Sequence, residues 1–164
     1  MQIRKAKIEE LDALMQIYDD ARAFMRKSGN PEQWRNHPPR ELIEEDISRG
    51  CCHVCEEDGE LFAVFYFCEE DDPTYRVIDG AWLNERPYGV VHRIAVAKRG
   101  RGVASFCFDY AFSRCGNLKI DTHRQNIPMQ RALEKNGFVL CGVIRIASGD
   151  ERIAYQKTDA CKNS

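Results

Sequence analysis

The chain has 164 residues, of which 24 are Lys or Arg and 26 are Asp or Glu, so its formal net charge is −2. This length is typical of a single domain, and 43% hydrophobic residues are enough to form a core. The nearly balanced charge argues against a nucleic-acid-binding protein, and a 10% share of aromatic residues argues against an acidic disordered chain.

Hydrophobic periodicity and turn residues predict a mixed α/β domain over residues 1–164, with the order βααβββαβαββ. The predicted elements, in chain order, are strand 2–6, helices 8–24 and 41–49, strands 51–56, 61–68 and 89–96, helix 103–115, strand 118–122, helix 128–136, and strands 139–146 and 152–156. Asp58-Gly59 predicts a hairpin between the second and third strands. A further short strand is predicted at 75–78, within a long polar segment.

The first residues lead directly into a charged helical pattern, and no apolar run approaches the roughly 20 residues of a membrane span. We therefore expect a cytoplasmic protein with no membrane partner and with reduced thiols.

Eight cysteines are present, and Cys52 and Cys55 have the C-x-x-C spacing of some metal and redox sites. On a strand these two side chains would point to opposite faces, and no second such pair completes a zinc site. Cysteine as a small buried hydrophobe is therefore favoured over a redox or metal protein, and no metal is expected.

A basic, glycine-containing loop connects the strand at 89–96 to the following helix. Unpaired N–H groups at a helix N terminus attract anions. Gly100 and Gly102 would allow close approach of the backbone, and Lys98, Arg99 and Arg101 add positive charge. The loop matches neither GxxxxGK[ST] nor GxGxxG, and taken alone it fits an ordinary turn as well as a phosphate site.

A second stretch places Asn126 and Met129 at the start of a helix, followed by Glu-Lys-Asn-Gly-Phe at residues 134–138. Taken alone, Asn126 is a helix-start residue and Phe138 a core residue. Together with the glycine loop, this stretch resembles the GNAT superfamily of N-acetyltransferases, whose second motif has a similar Asn and a closing Gly-Phe.

The glycine loop fits the same resemblance, since Arg99-x-x-Gly102-x-Ala104 is similar to the family's Q/R-x-x-G-x-G/A pyrophosphate loop. The connection between Val96 and Arg99 is shorter than usual, which leaves the register open by a residue or two. The resemblance spans nearly the whole chain and implies a mostly antiparallel central sheet flanked by helices.

The resemblance also implies acetyl-CoA as co-substrate. Backbone amides of residues 99–104 would hold the pyrophosphate, main-chain groups of 94–96 would pair with the pantetheine arm, and the Asn126 side chain would bond to it. Lys98, Arg101 or Lys135 could reach the outer phosphates. The candidate cofactor-binding residues are Ile94, Ala95, Val96, Arg99, Gly100, Arg101, Gly102, Val103, Ala104, Asn126, Met129 and Lys135.

Amine attack on a thioester needs a neutral nucleophile, and therefore a base to remove a proton. His92, beside the presumed cofactor arm, is one candidate, and His123, with Asp121 to orient it, is the other. Either histidine could instead be structural. The tyrosine that often protonates the leaving thiolate in this family is Leu133 here.

The candidate acceptor site combines aromatic residues with an acid: Trp34, Tyr75, Asp79, Trp82 and Tyr88. Aromatic faces attract cations, and a carboxylate can pair with an ammonium group. The alternative is that Trp34 and Trp82 merely cover the core.

The predicted function is transfer of an acetyl group from acetyl-CoA to a primary amine of a small molecule or peptide by direct attack on the thioester. The alternative is a non-catalytic acyl-CoA-binding sensor or subunit. No nucleic-acid partner is expected, and exposed strands could support a homodimer.

Overall fold

The computed structural model describes residues 1–159. Within them the chain forms eight strands and four α-helices. In chain order these are β1 (Gln2–Lys5), α1 (Leu11–Lys27), α2 (Arg40–Ser48), β2 (Cys52–Glu57), β3 (Glu60–Glu69), β4 (Asp79–Gly80), β5 (Gly89–Val96), α3 (Val103–Cys115), β6 (Asn117–Thr122), α4 (Ile127–Lys135), β7 (Val139–Arg145) and β8 (Glu151–Thr158).

The strands form one sheet in the order β1-β2-β3-β5-β6-β8-β7-β4, and all neighbours are antiparallel except β5 and β6. The predicted mixed α/β fold with a mostly antiparallel sheet flanked by helices is therefore confirmed.

The structure differs from the predicted order in the long polar segment. A 3-10 turn occupies Pro73–Tyr75, and the short strand lies at β4 instead of at 75–78. β4 pairs with β7 where Gly80 faces Gly142, and a side chain on either glycine would collide with the opposite backbone. This strand is defined by a partner far along the chain, which a local hydrophobic pattern does not reveal.

The helices cover the two faces of the sheet as separate pairs. Leu14 of α1 and Ile43 of α2 pack with Val54 of β2 on one face. Phe108 of α3 and Leu133 of α4 belong to the core on the other face. Alternation of side chains along the central strands supplies both cores.

Cys52 and Cys55 lie on opposite faces of β2, as predicted. Burial raises the pKa of the Cys52 thiol to about 12, so this thiol stays neutral. Within residues 1–159, seven cysteines are free, and no group of three His, Cys, Asp or Glu side chains is arranged for a metal ion. Cys161 lies outside the described residues.

No helix within the described range is both long enough and apolar enough to cross a membrane.

β5 and β6 pair only at their beginnings, through Gly89 with Leu118 and Val90 with Lys119. Beyond this point β5 follows β3, and β6 follows β8. The two halves of the sheet therefore separate after Val90, and the opening between them contains the candidate site.

Candidate active site

Within residues 1–159, the edge of β5 that faces the opening carries main-chain groups without a strand partner. The Ala97 amide donates to the Phe62 carbonyl at 2.8 Å, so Val96 and Ala63 form a non-hydrogen-bonded pair of the antiparallel ladder. The amide and carbonyl of Val96 therefore point away from β3, and strand alternation gives Ile94 the same direction. An extended ligand could add to this edge as another strand would.

A bulge at Arg93 bends β5 just before this edge. Arg93 has a φ of 51°, and the register with β3 shifts opposite it, between Val64 and Tyr66. The Tyr18 hydroxyl donates to the Arg93 carbonyl at 2.8 Å, and the Arg93 guanidinium donates to Asp46 Oδ2 at 2.8 and 3.0 Å. Burial raises the pKa of Asp46, and the Arg93 charge opposes that rise. Helices α1 and α2 therefore hold the bulge through a hydrogen bond and an ion pair.

A glycine-containing loop leads from β5 into α3. Gly100 and Gly102 have φ values of 78° and 69°, a left-handed conformation that glycine adopts without steric cost. A Cβ on either residue would meet no atom within 4 Å, so open space faces both. The first α3 bond is from the Phe106 amide to the Gly102 carbonyl, so the amides of residues 103–105 have no partner inside the helix. This loop fits the requirements of a bound phosphate.

The basic side chains of the loop have partners of different kinds. Lys98 and Arg101 form ion pairs with carboxylates of the β2–β3 hairpin, at 2.6 and 2.9 Å. The Arg99 guanidinium lies 3.5 Å from the centre of the Phe24 ring, and burial lowers its pKa. The chain itself therefore neutralises part of the positive charge that the sequence places here.

A cavity of about 260 Å³ lies along the loop and the free edge of β5. Most of the predicted cofactor residues line it, namely Ile94, Ala95, Val96, Arg99, Gly100, Gly102, Val103, Ala104, Asn126 and Met129. Arg101 and Lys135 do not line it. Arg101 pairs with Glu57, and Lys135 is exposed in the last turn of α4.

Asn126 joins α4 to the loop that follows α1. Its Oδ1 caps α4 by accepting from the Met129 amide at 3.2 Å, and its Nδ2 donates to Gln33 Oε1 at 2.8 Å. Asn30 Nδ2 donates to the same Gln33 oxygen at 2.9 Å. The side chain predicted to bond to the cofactor therefore also links the start of α4 to Gln33 and Asn30, in the segment after α1.

A second cavity of about 750 Å³ lies beside the first. Met25, Ile94, Asn126 and Met129 line both cavities, so the two meet at these side chains. The polar lining of the larger cavity includes Asp72, His92, Asp121 and Arg152.

His92 lies between two carboxylates of this larger cavity. Its Nε2 is 2.7 Å from Asp72 Oδ2, and its Nδ1 is 3.7 Å from Asp121 Oδ1. The Tyr75 hydroxyl donates to Asp121 Oδ1 at 2.6 Å. Burial alone would raise the pKa of Asp72, but hydrogen bonds from His92 and Thr74 lower it to about 2. Asp72 is therefore a carboxylate that orients the imidazole.

Of the five predicted acceptor-site residues, Trp34 lines this cavity and the other four do not. Tyr75, Trp82 and Tyr88 pack behind it instead, where the Trp82 indole donates to the Tyr75 carbonyl at 2.8 Å and the Tyr88 hydroxyl accepts from the Asp72 amide at 2.8 Å. Asp79 is exposed in β4. Tyr88 and Tyr75 therefore support Asp72 and Asp121 through hydrogen bonds instead of lining the cavity themselves.

His123 does not line either cavity. Its Nδ1 accepts from the Gln125 amide at 3.1 Å, and burial lowers its pKa. Asp121 lies beside His92 and Tyr75, so the suggested pairing of Asp121 with His123 does not occur. Strand alternation predicts the face of β6 on which Asp121 lies. It does not predict that His92, on the neighbouring strand β5, is the histidine that Asp121 contacts.

Sequence reasoning missed Asp72 and Arg152. Asp72 begins a short turn in which its Oδ1 accepts from the Thr74 amide at 2.9 Å, and Asp-Pro-Thr is a local signal for such a turn. No feature of the local sequence indicates that this turn contacts His92 of β5. Arg152 lies in a strand pattern in which a charged residue would ordinarily face solvent.

Leu133 is fully buried in the core beneath α3 and α4. Within residues 1–159, no tyrosine lines either cavity. The described site therefore contains no side-chain equivalent of the tyrosine acid that is frequent in this family.

Comparison with known proteins agrees with this architecture. The model of the acetyltransferase (GNAT) family matches residues 11–138. A GNAT-family acetyltransferase from Streptococcus agalactiae is 33% identical, with a TM-score of 0.88 over 98% of this chain and 96% of that chain. No curated protein matches the chain.

More distant structures share the fold. A GNAT-family acetyltransferase from Bacillus cereus is 22% identical, with a TM-score of 0.65 over 98% of each chain. A Salmonella typhimurium protein whose structure holds its cofactor acetyl-CoA is 18% identical, with a TM-score of 0.64 over 99% of this chain and 96% of that chain. The chain belongs to the GNAT acetyltransferase family, whose members use acetyl-CoA, and it is an acyltransferase.

Proposed function

We propose that this acyltransferase moves an acetyl group from acetyl-CoA to the primary amine of a small molecule or peptide. The observation that carries the proposal is the meeting of the two cavities at Met25, Ile94, Asn126 and Met129. One cavity has the open strand edge and the glycine loop, and the other has an imidazole between two carboxylates.

The smaller cavity fits acetyl-CoA. Open space at Gly100 and Gly102, and the amides at the start of α3 that have no partner inside the helix, suit a pyrophosphate group. The main-chain groups of Ile94 and Val96 suit an extended amide-containing arm. When bound, acetyl-CoA supplies a thioester whose acyl carbon accepts the amine nitrogen while the carbon–sulfur bond breaks and the thiolate leaves.

The larger cavity suits an amine that must lose a proton. The carboxylates of Asp72 and Asp121 attract an ammonium group, and His92 accepts one proton at Nδ1 while Nε2–H donates to Asp72. The second proton, which the nitrogen loses once it is bonded to the acyl carbon, is taken up by the departing thiolate. Asp72, with its pKa of about 2, stays charged and stabilises the imidazolium that forms.

The buried Leu133 is the observation that favours the alternative, a non-catalytic acyl-CoA-binding protein. A thiol has a pKa of about 8.5, so a CoA thiolate can leave without a protein acid. The missing tyrosine therefore slows the reaction but does not prevent it.

A transfer assay tests the proposal. The purified chain is mixed with acetyl-CoA and a panel of primary amines, and acetylated products are detected by mass spectrometry, because the chain's own thiols would react in a thiol-detection assay. Acetylation of an amine above the background without protein supports the proposal. Tight acetyl-CoA binding with no product from any amine would support the binding protein instead. The cytoplasmic location and the homodimer stay predictions from the sequence.

A further inference from the structure

Arg152 is a buried cation that faces the larger cavity. It belongs to β8, is 6% exposed and lines the cavity. Its guanidinium donates to two backbone carbonyls, of Glu151 at 3.0 Å and of Gln33 at 3.2 Å. Among residues 1–159 it forms no ion pair with a carboxylate within 4.0 Å. An arginine has five N–H donors, so several remain for a ligand.

Arg93, a second arginine of this cavity, differs from Arg152 because it has a carboxylate partner. Arg93 lines the same cavity and is also largely buried, but it has Asp46 as an ion-pair partner at 2.8 Å. Burial lowers the pKa of Arg152. The negative charges of Asp121 and Asp150, which lie beyond ion-pair distance, raise it in part. A buried charge without a direct partner is costly, so a site of this kind is suited to an anionic ligand.

Gln33 adds a second donor to the same cavity. Its Oε1 accepts from Asn30 and Asn126, and its carbonyl accepts from Arg152. Its Nε2 has no hydrogen-bond partner among the described residues and is not sealed from solvent. The Gln33 amide and the Arg152 guanidinium therefore both line the larger cavity, and each has N–H groups that make no hydrogen bond within the described residues.

The sheet register brings this donor pair near the carboxylates. Asp121 of β6 pairs with Ala154 of β8, and Arg152 lies two residues before Ala154. Asp121 and Arg152 are therefore diagonal neighbours on one face of the sheet, with backbones about 7–8 Å apart. Opposite charges at this backbone spacing suit a small molecule with a cationic and an anionic group.

We infer that the acceptor is a small primary amine that also carries a carboxylate or a similar oxyanion, as an α-amino acid does. Arg152 and Gln33 hold the oxyanion, and Asp121 and His92 receive the amino group. This inference rests on the proposed function and specifies its substrate class. An internal or N-terminal amine of a protein lacks the neighbouring carboxylate and is disfavoured.

Matched pairs of ligands test the inference. Free amino acids are compared with their α-carboxamides, which keep the amine and lose the negative charge, and with short peptides that begin with the same residue. Two quantities are measured: kcat/KM for acetylation, and binding by calorimetry in the presence of CoA. One charged hydrogen-bonded contact should favour the acid over its amide by roughly 10- to 100-fold.

Variants separate the anion site from general damage. Arg152→Gln removes the charge, and Gln33→Glu keeps the acceptor oxygen for Asn30 and Asn126 but places a negative charge beside the ligand. Each should reduce the preference for the acid to less than about threefold, while acetyl-CoA still binds and shows that the chain is folded. Arg145→Gln is the matched control, since Arg145 is an exposed arginine of the same hairpin that does not line the cavity.

The outcomes distinguish this inference from the proposed function. If amides and peptides are acetylated as well as acids in the wild-type protein, the inference is wrong and the proposed function stands. If nothing is acetylated but acids still bind better through Arg152, the anion site is supported and the transfer reaction is wrong. If acids neither react nor bind better than amides, the anion site is overturned.

Discussion

At the scale of single residues, His92 combines a proton-accepting atom with a fixed orientation. Asp72 holds one ring nitrogen at 2.7 Å, and the other lies 3.7 Å from Asp121. Tyr75 donates to Asp121 and the Thr74 amide donates to Asp72, so both carboxylates are themselves held in place. An imidazole oriented in this way can accept a proton at a defined atom.

His92→Gln should lower kcat by about 10²–10⁴-fold, because a general base typically contributes that much. Acetyl-CoA binding should stay unchanged, since His92 does not line the smaller cavity. His123→Gln, outside both cavities, should keep activity within about threefold, and the reverse ranking would identify His123 as the base.

Asp72 predicts a pH dependence of stability. Its pKa is about 2 in the folded protein and about 3.9 in an unfolded chain. A lowered folded pKa stabilises the protein above the unfolded value, and this contribution is lost as the pH falls toward the folded value. Asp72→Asn should therefore reduce the free energy of unfolding by about 2 kcal/mol near neutral pH and by progressively less below about pH 4.

Urea denaturation of both proteins at several pH values measures this difference. Asp71→Asn is the control, because Asp71 is exposed and its ion pair with Arg76 should contribute little to stability. A deficit for Asp72→Asn that stays constant down to about pH 3 would show that the charge of Asp72 is not what stabilises the fold.

At the scale of elements, the unit proposed to bind the pyrophosphate of acetyl-CoA is the strand–loop–helix of β5 and α3. The bulge at Arg93 turns the strand edge outward, and the two left-handed glycines bring the loop back into α3. The glycine loop is a local feature, which is why the glycine spacing in the sequence already indicated it. The bulge depends on contacts with α1 and α2 and was not predicted.

Gly102→Glu should weaken acetyl-CoA binding by more than about 100-fold, because the new carboxylate would lie beside the pyrophosphate site. Gly59→Glu is a matched control in the β2–β3 turn. Gly59 has a similar φ of 80° and also faces open space, so both variants carry similar backbone strain. Calorimetry with acetyl-CoA should find near-normal affinity for Gly59→Glu, and equal losses in both variants would refute the loop assignment.

The predicted elements agree with the structure where hydrophobic periodicity and turn residues act over short distances. The hairpin at Asp58-Gly59 and the helix that begins after Asn126 are examples. The short strand was misplaced because β4 exists through its pairing with β7. The acceptor-site aromatics were assigned to the cavity wall because composition alone does not show on which side of the carboxylates a polar loop packs.

At the scale of the whole molecule, the site depends on the separation of the two halves of the sheet after Val90. The smaller cavity is lined by α1, β5, α3 and α4, so a ligand there contacts helices from both faces of the sheet. Such a ligand should stabilise the fold as a unit.

Acetyl-CoA at about 100 times its Kd should add about 2.7 kcal/mol to the free energy of unfolding. For a chain of this size that corresponds to a Tm increase of about 5–10 °C. Thermal unfolding with and without acetyl-CoA measures the increase, and Gly102→Glu should show almost none. An equal rise in both proteins would place the binding site elsewhere.

The sequence by itself determined the fold class, the glycine loop, the Asn126 motif and the family resemblance. Each of these depends on residues close together in the chain, where spacing and conformational preference act directly. Only the tertiary structure decided that Asp72 and Asp121 flank His92, that His123 lies outside the cavities, and that Arg152 faces the cavity beside Gln33. These pairings join distant segments, and they are set by strand order and register across the sheet. A nearly neutral composition is therefore compatible with a site that is charged locally, in which Asp121 and Arg152 place opposite charges on one face of the sheet.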